Sequence, residues 1–381
     1  MKMQPEANMA YLDYNATAPV RAEVVDAMVE AMAKAGNPSS VHGPGRRARV
    51  RMDRARALVA DAVCALPDEI IFTSGGTESN DLALSGLGAE QVIISAIEHD
   101  AIAKRAHQLG IPCTTIPVDG HGVIDLEALA HALHGAPKNT LVSIMLANNE
   151  TGVVQPVAQA ARLAHDHGCL IHTDAVQAFG KIPVDLDQLG VDLMSISAHK
   201  FGGPQGIGAL VARDVALSPR LLGGAQERQR RAGTENLAAI AGFGVAVQLM
   251  GATHGTAALR DHLESEIRAH APEAVIFGQA APRLPNTSLI ALPDAPSETQ
   301  VIAMDLAGIA LSSGAACSSG KVHNSHVLAA MGAGLMSNCA IRISLGWQST
   351  PQDIDHFLTA WFSMRARMRA RVSRPASASA N

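Results

Sequence analysis

Aromatic residues are scarce in this 381-residue chain, with 2 Trp, 2 Tyr and 7 Phe making up 3% of it. A core short of large rings has to be filled by aliphatic side chains and close backbone approach, which 33 glycines and abundant alanine supply. Cysteine is sparse too: Cys64, Cys113, Cys169, Cys317 and Cys339 are odd in number and far apart, which excludes a fold built on disulfides. Charged residues are only 17% of the chain, and a formal net charge of −5 gives no general pull toward nucleic acid or an anionic membrane. No run approaches the roughly 18 apolar residues of a spanning helix, and Met1 to Tyr11 has no apolar stretch behind Lys2. A cytoplasmic protein is expected, with neither a membrane nor a direct nucleic-acid partner.

What is plentiful is core material, 48% hydrophobic residues, in a chain long enough for two domains. Continuous apolar runs follow Glu69, Gln91, Thr140, Gly168, Val191 and Gly206, and they suit parallel strands buried on both faces. Helical patterns separate them, such as Val157 to His167, with Pro156 before its start and Gly168 after its end. Repeated βα alternation predicts an α/β fold with a mostly parallel central sheet and a ligand site beyond the carboxyl ends of its strands. Beyond about residue 250 the pattern becomes α+β, with short apolar runs at Thr287, Gly308 and Cys339 between helices. The expected division is a large domain over 15–250, a smaller α+β domain from 1–14 and 251–365, and a disordered tail over 366–381. The arginines from Arg365 to Arg374 read as a frayed, solvated helix end.

Four segments carry chemistry. TSGGTESN, from Thr73, follows a strand and opens a helix, so its backbone N–H groups suit an anion such as phosphate; the alternative is a tight turn with Thr77 or Ser79 as cap. Asp174 and Lys200 each stand at a strand end, with Ser197, His199 and glycines nearby. A carboxylate for a pyridinium nitrogen and a lysine for a Schiff base suit pyridoxal phosphate, and a plain Asp174–Lys200 salt bridge is the competing reading. His99, just past another strand end, is either a satisfied polar residue or a group that stacks on a cofactor ring and moves protons. Cys317, in SSGAACSSG, sits among small polar residues as a thiol on a loop, inert or nucleophilic. Arg342, inside an apolar strand, needs an anionic partner, for which a substrate carboxylate is the functional candidate.

In chain order, YLDYNATAPV from Tyr11, GNPSSVHGPGRRAR from Gly36, TSGGTESN, EHDA, NNETG from Asn148, HTDAVQ, SAHKFGGPQG, GGAQERQRRAGTENL from Gly223, SSGAACSSG and IRISLG resemble the cysteine desulfurases of the NifS/IscS type, from about Tyr11 to Phe362. The resemblance implies a fold-type-I pyridoxal 5′-phosphate enzyme, a homodimer with its sites at the subunit interface. It makes Lys200 the Schiff-base lysine, Asp174 the partner of the pyridine nitrogen, and His99 the ring-stacking residue that moves protons. Gln177 and Asn149 fall near the cofactor phenolic oxygen and the substrate. Gly76, Thr77, Ser197 and His199 hold the phosphate, joined by Thr234 from the other subunit. Arg342, with Asn15 nearby, binds the substrate carboxylate. Cys317 is the nucleophile that takes sulfur from L-cysteine, leaving L-alanine and a persulfide for a sulfur acceptor or an iron–sulfur scaffold protein. No structural metal is implied, although Cys317 could serve as a transient iron–sulfur ligand.

The chain departs from the family where Gly314-Ala315-Ala316-Cys317 stands for Gly-Ser-Ala-Cys and Val322-His323-Asn324 for Leu-Glu-Pro, while the loop length to Ser325 is unchanged. A selenocysteine lyase or another pyridoxal phosphate lyase or transaminase is the alternative within the fold, and a non-catalytic relative is the alternative outside enzymology. His165, His167, Cys169 and His172 straddle a helix end and a buried strand, an arrangement unsuited to one metal centre. Arg46, Arg47, Arg49, Arg51, Arg54 and Arg56 lack interleaved aromatics and read as a solvated or subunit-facing helix. Cys64, Cys113 and Cys339 have apolar neighbours and read as packing residues.

Overall fold

The computed structural model describes residues 9–251, 255–314 and 325–372. The chain begins with β1 (Ala10–Tyr11), α1 (Ala22–Met32) and α2 (Gly43–Ala62). The next stretch is β2 (Ile70–Thr73), α3 (Gly76–Gly86), β3 (Gln91–Ser95), α4 (Asp100–Gln108), β4 (Cys113–Ile116), α5 (Leu126–Leu133), β5 (Thr140–Ser143), α6 (Val157–Asp166) and β6 (Leu170–Asp174). After it come α7 (Leu186–Leu189), β7 (Leu193–Ser197), β8 (Gly208–Ala212) and α8 (Leu237–Gln248). The remainder is α9 (Thr256–His270), β9 (Val275–Phe277), β10 (Thr287–Ala291), α10 (Ser297–Leu306), β11 (Ile309–Ala310), β12 (Ser312–Ser313), α11 (His326–Ala330), β13 (Ala340–Ser344) and α12 (Pro351–Val372).

β2 to β8 form one seven-stranded sheet in the order β2-β8-β7-β6-β5-β3-β4. Its inner strands are largely apolar because both faces are covered: in β3, Ile93 joins one core cluster, while its neighbours Val92 and Ile94 join another on the opposite face. Helix α6 shows the sequence logic, with Val157, Ala160, Ala161 and Ala164 all buried on one stripe. Gly168 follows at φ 71°, the left-handed conformation that ends a helix cheaply only with glycine.

The run after Gly206 contains a strand as expected, β8, but it lies antiparallel to both of its neighbours, β7 and β2. A parallel return requires a crossover of a dozen or more residues. The short link from Ser197 to Gly208, containing a single 3₁₀ turn at Ala198–Lys200, has no room for one.

β9, β10, β12 and β13 make a separate antiparallel sheet in the order β12-β13-β10-β9, while β1 pairs in parallel with β11. Helix α12 lays Ile354, Phe357, Leu358, Trp361 and Met364 into this second core. Trp361 is fully buried, and its indole N–H donates to Gln300 Oε1 at 3.0 Å, so the largest ring carries no unmet donor.

Three readings of charged or thiol residues need correction. Helix α12 continues through Val372, and Arg365 grips the Glu273 carboxylate through two nitrogens at 2.6 and 2.9 Å; it is not a frayed, solvated arginine. Arg56 faces inward from α2 and pairs with Glu227 at 2.7 and 2.8 Å, because that carboxylate, also bonded by the Phe72 N–H, is buried beside it. Cys64 is exposed, carried outward by a left-handed turn (φ 55°) just after α2. Among the described residues no helix is long and apolar enough to cross a membrane.

Candidate functional site

The strands β2, β3, β5, β6 and β7 end on one edge of the large sheet, and the loops beyond those ends enclose a cavity of about 240 Å³. Of the residues singled out from the sequence, Gly76, Thr77, His99, Asn149, Asp174, Gln177, Ser197, His199 and Lys200 all line it. Asn15, Arg342 and Thr234 do not, and Cys317 lies outside the described residues.

The floor is set by Asp174 at the end of β6. Its two carboxylate oxygens accept from Asn80 Nδ2 at 2.7 Å and from the Val176 N–H at 2.9 Å. Asn80 is 1% exposed, and its own Oδ1 has no partner in the protein. The competing reading of an Asp174–Lys200 salt bridge does not hold: Lys200 Nζ donates instead to the backbone oxygens of Asn15 and Ala16 at 2.7 and 2.9 Å. Burial first, then the nearby Arg342 guanidinium, lowers the Lys200 amine to about 8. Such an amine exchanges protons readily near neutral pH.

On one side of the cavity α3 presents its N-terminus. Gly75 stands at φ 149° and offers no side-chain cap, which leaves first-turn N–H groups free for an anion. Gly76 must be glycine, since a Cβ there would come within 2.8 Å of Val176 Cγ2. A wider cleft of about 490 Å³ continues past Gly76, Thr77, Ser197 and His199 to Thr17 and Gln205.

His99 caps α4, its Nδ1 accepting from the Ala101 N–H at 3.1 Å, which leaves Nε2 as the protonated nitrogen of the neutral ring. The ring opens to the cavity but is crowded by protein elsewhere, and this crowding lowers its pKa. Burial and the neighbouring lysines hold His199 down to about 4, so it is neutral beside the α3 N-terminus.

Asn15 and Arg342 stand behind this wall. Asn15 is 1% exposed and its amide donates to Thr287 Oγ1 at 2.9 Å and Asn149 O at 3.3 Å. Arg342 donates to Asp13 Oδ1 at 2.7 Å and Asn149 O at 3.0 Å, while its buried Nε has no partner. Thr234 is exposed, in the segment that follows the Arg56–Glu227 pair.

Several residues at the site escaped notice in the sequence. Glu98 is fully buried beneath His99, accepts from Ser95 Oγ and the Met145 N–H, and is pushed up to about 8 by that burial. Glu150 accepts from Ser325 Oγ at 2.6 Å, and burial pushes it up to about 7. Gly314, the last described residue before the Cys317 segment, packs against the same carboxylate, where a Cβ would lie 3.0 Å from Oε2. Acidic residues embedded in apolar strand-end motifs, EHDA and NNETG, were the available signal. The histidines set aside as metal ligands have separate partners: His172 sits between Ser143 and Ser195, and His165 bonds Asp192.

The donor set matches a pyridine-type cofactor bearing a phosphate: an uncapped helix N-terminus, a hydrogen-bonded carboxylate, a lysine of lowered pKa and a neutral histidine, all on one cavity. The buried, unpartnered oxygen of Asn80 lies behind that carboxylate. A family profile described as "Aminotransferase class-V" matches residues 10–357. A protein of Cereibacter sphaeroides named "Cysteine desulfurase" is 45% identical over 363 residues, covering 91% of this chain and 93% of that one. Among solved structures, a NifS-like protein from Rickettsia africae is 36% identical with a TM-score of 0.88, covering 94% of this chain and 99% of its own. "SspA in complex with cysteine" is 30% identical with a TM-score of 0.77, over 89% of this chain and 99% of its own. A profile match spanning nearly every described element, joined by relatives this similar over nearly their full length, means that the chain belongs to the class-V aminotransferase family.

Proposed function

We propose that the protein is a cysteine desulfurase, which converts L-cysteine to L-alanine with pyridoxal 5′-phosphate held in the cavity and passes the sulfur to Cys317. The observation that carries this reading is the convergence of Asp174, Lys200, His99 and the α3 N-terminus on one cavity. The bound cofactor supplies an electron sink for charge that develops at the substrate α-carbon.

The chain's own groups do the rest. Asp174, fixed by Asn80 and Val176, holds the pyridine nitrogen, and the N–H groups of Gly76 and Thr77 hold the phosphate with Ser197 and His199. Thr234 of the partner subunit completes that phosphate site in a homodimer. Lys200, with its amine lowered to about 8, takes the α-proton and returns a proton to the carbon that becomes the alanine methyl group. His99 stacks on the ring and donates from Nε2. Asn149 and Gln177 face substrate and cofactor oxygen. Arg342 binds the substrate carboxylate by exchanging its contact with Asp13, and Asn15 acts by holding Asn149 and Thr287 in place. The Cys317 thiolate attacks the substrate sulfur; the carbon–sulfur bond breaks with its electron pair on carbon, and a persulfide remains on Cys317 for a sulfur acceptor or an iron–sulfur scaffold protein. This reading assigns 15–250 to the cofactor domain and 1–14 with 251–365 to the domain bearing Cys317.

The test is release of alanine and sulfide from L-cysteine and a reductant by purified protein whose visible spectrum has been recorded. Equal yields of both products from a yellow protein are expected. A colourless protein, or a yellow one that releases neither product, overturns the reading.

A further inference from the structure

Lys181 belongs to none of the motifs that mark the site, yet its amine stands at their junction. It follows Gly180, whose φ of 82° turns the chain back toward the sheet and where any Cβ would strike Phe201 at 2.5 Å. The turn after β6 sets Lys181 four residues beyond Gln177, and Nζ donates to Gln177 Oε1 at 2.6 Å and to Asn15 Oδ1 at 2.7 Å. Gln177 Nε2 in turn donates to Asn15 O at 2.9 Å, the same oxygen that accepts from Lys200 at 2.7 Å. Lys181, Gln177, Asn15 and Lys200 therefore form one connected network, and Asn286 Nδ2 closes it on the far side at 3.2 Å from Asn15 Oδ1.

An amide has two faces, oxygen and nitrogen, and nothing in its shape decides which one meets a ligand. With its oxygen engaged by the lysine and one N–H by Asn15, Gln177 retains a single free N–H, and Gln177 lines the cavity. We propose that Lys181 is a positioning residue that locks the Gln177 amide so that it presents N–H, not oxygen, to the cavity, and ties this orientation to the Asn15 backbone that carries Lys200. Burial, with Lys200 and Arg342 nearby, pulls the Lys181 amine well below its ordinary value. The device survives this, because a neutral amine still has two N–H groups for its two acceptors. An oxygen acceptor is therefore preferred opposite Gln177 in whatever the cavity holds, which deepens the proposed function and rests on it.

The test uses holoenzyme with Lys181→Met, Lys181→Gln, Gln177→Ala and the Lys181→Met/Gln177→Ala double variant. Each is followed by circular-dichroism melting, cofactor content, the pH titration of the visible band and steady-state kinetics. Loss of the donated N–H is expected to raise the midpoint of the titration by about one pH unit in Lys181→Met and in Gln177→Ala alike, with no further shift in the double variant. Lys181→Gln keeps an N–H donor and should lie between Lys181→Met and wild type. In Lys181→Met, kcat should fall about tenfold with KM changed less than about twofold. Additive shifts in the double variant, midpoints equal to wild type, or failure of both Lys181 variants to fold overturn the proposal and leave Lys181 a structural residue. A colourless wild type measured in parallel instead removes the functional reading on which the proposal rests.

Discussion

The carboxyl edge of the seven-stranded sheet and the inner strand β13 of the four-stranded sheet hold their polar groups in opposite ways. On the large sheet, Asp174, His99 and Lys200 are each fixed through neighbours of their own, Asn80 and Val176, Ala101, and the Asn15 and Ala16 carbonyls, while all three still line the cavity. On the small sheet, Arg342 in β13 is 3% exposed and already bound to Asp13 and Asn149. One edge is preorganised, with its working faces left open. Strand β13 holds its cation against the Asp13 carboxylate, so an anion binding there would exchange partners and not fill a vacancy.

Removing the open edge should have the largest effect. Lys200→Ala is expected to abolish the wild-type visible band and lower kcat by at least about 10³-fold, within the range for loss of a positioned proton-transfer group. A variant that keeps turnover within tenfold of wild type would show that another amine does this work, and Lys181 would be the first to examine.

The arginine of β13 should answer more gently and in KM. Arg342→Ala is expected to lower kcat/KM for L-cysteine about 10- to 100-fold, the loss of charge-assisted hydrogen bonds worth about 1.5–3 kcal/mol, with cofactor content unchanged. Asp13→Asn keeps an acceptor for Arg342 but removes the competing charge, so KM should drop by a few-fold. Saturation curves for both variants decide the matter, and a KM that rises in Asp13→Asn would mean that Asp13 helps to bind substrate instead of competing with it.

The smallest effect concerns stability beneath the open edge. Burial raises the Glu98 carboxyl from 4.5 to about 8. Between those values the folded chain holds a proton that the unfolded chain has released, so stability falls as pH rises through that window and levels off above it. Glu98→Gln should remove a slope of about 1.4 kcal/mol per pH unit between roughly pH 6 and 7, measured by urea unfolding. An identical slope in wild type and variant would show that Glu98 is charged in the folded state.

The contrast between the two sheets also explains what could be read in advance. Strands buried on both faces announce themselves as apolar runs, so the runs after Glu69 through Gly206 were legible, as was the gathering of nine of the residues singled out at one cavity. Strand direction is not written in such a run: β8 reversed because its connection is short. β9, only Val275–Phe277, is too brief to show a period. The supporting residues were hidden because their partners are distant in sequence. Asn80 meets Asp174 across 94 positions, and Arg56 meets Glu227 across 171. Lys181 lay close to a recognised motif, but its meaning depends on Asn15, which only the folded chain brings to it.

The packing of α1 and α2 against α8 has a consequence for the birth of the chain. The inward faces of these two helices, with Val24, Met52 and Val59 fully or nearly fully buried, belong to a core whose α8 wall, Leu237–Gln248, is synthesised far later. At about 5–20 residues per second, roughly 10–40 s of translation separate the end of α2 from the arrival of α8. During that interval the amino-terminal helices can pack only against the parts of the same core already made, such as Ile70, Phe72 and Ile93. The core beneath α1 and α2 is therefore closed only when α8 emerges, after every strand of the large sheet has been made.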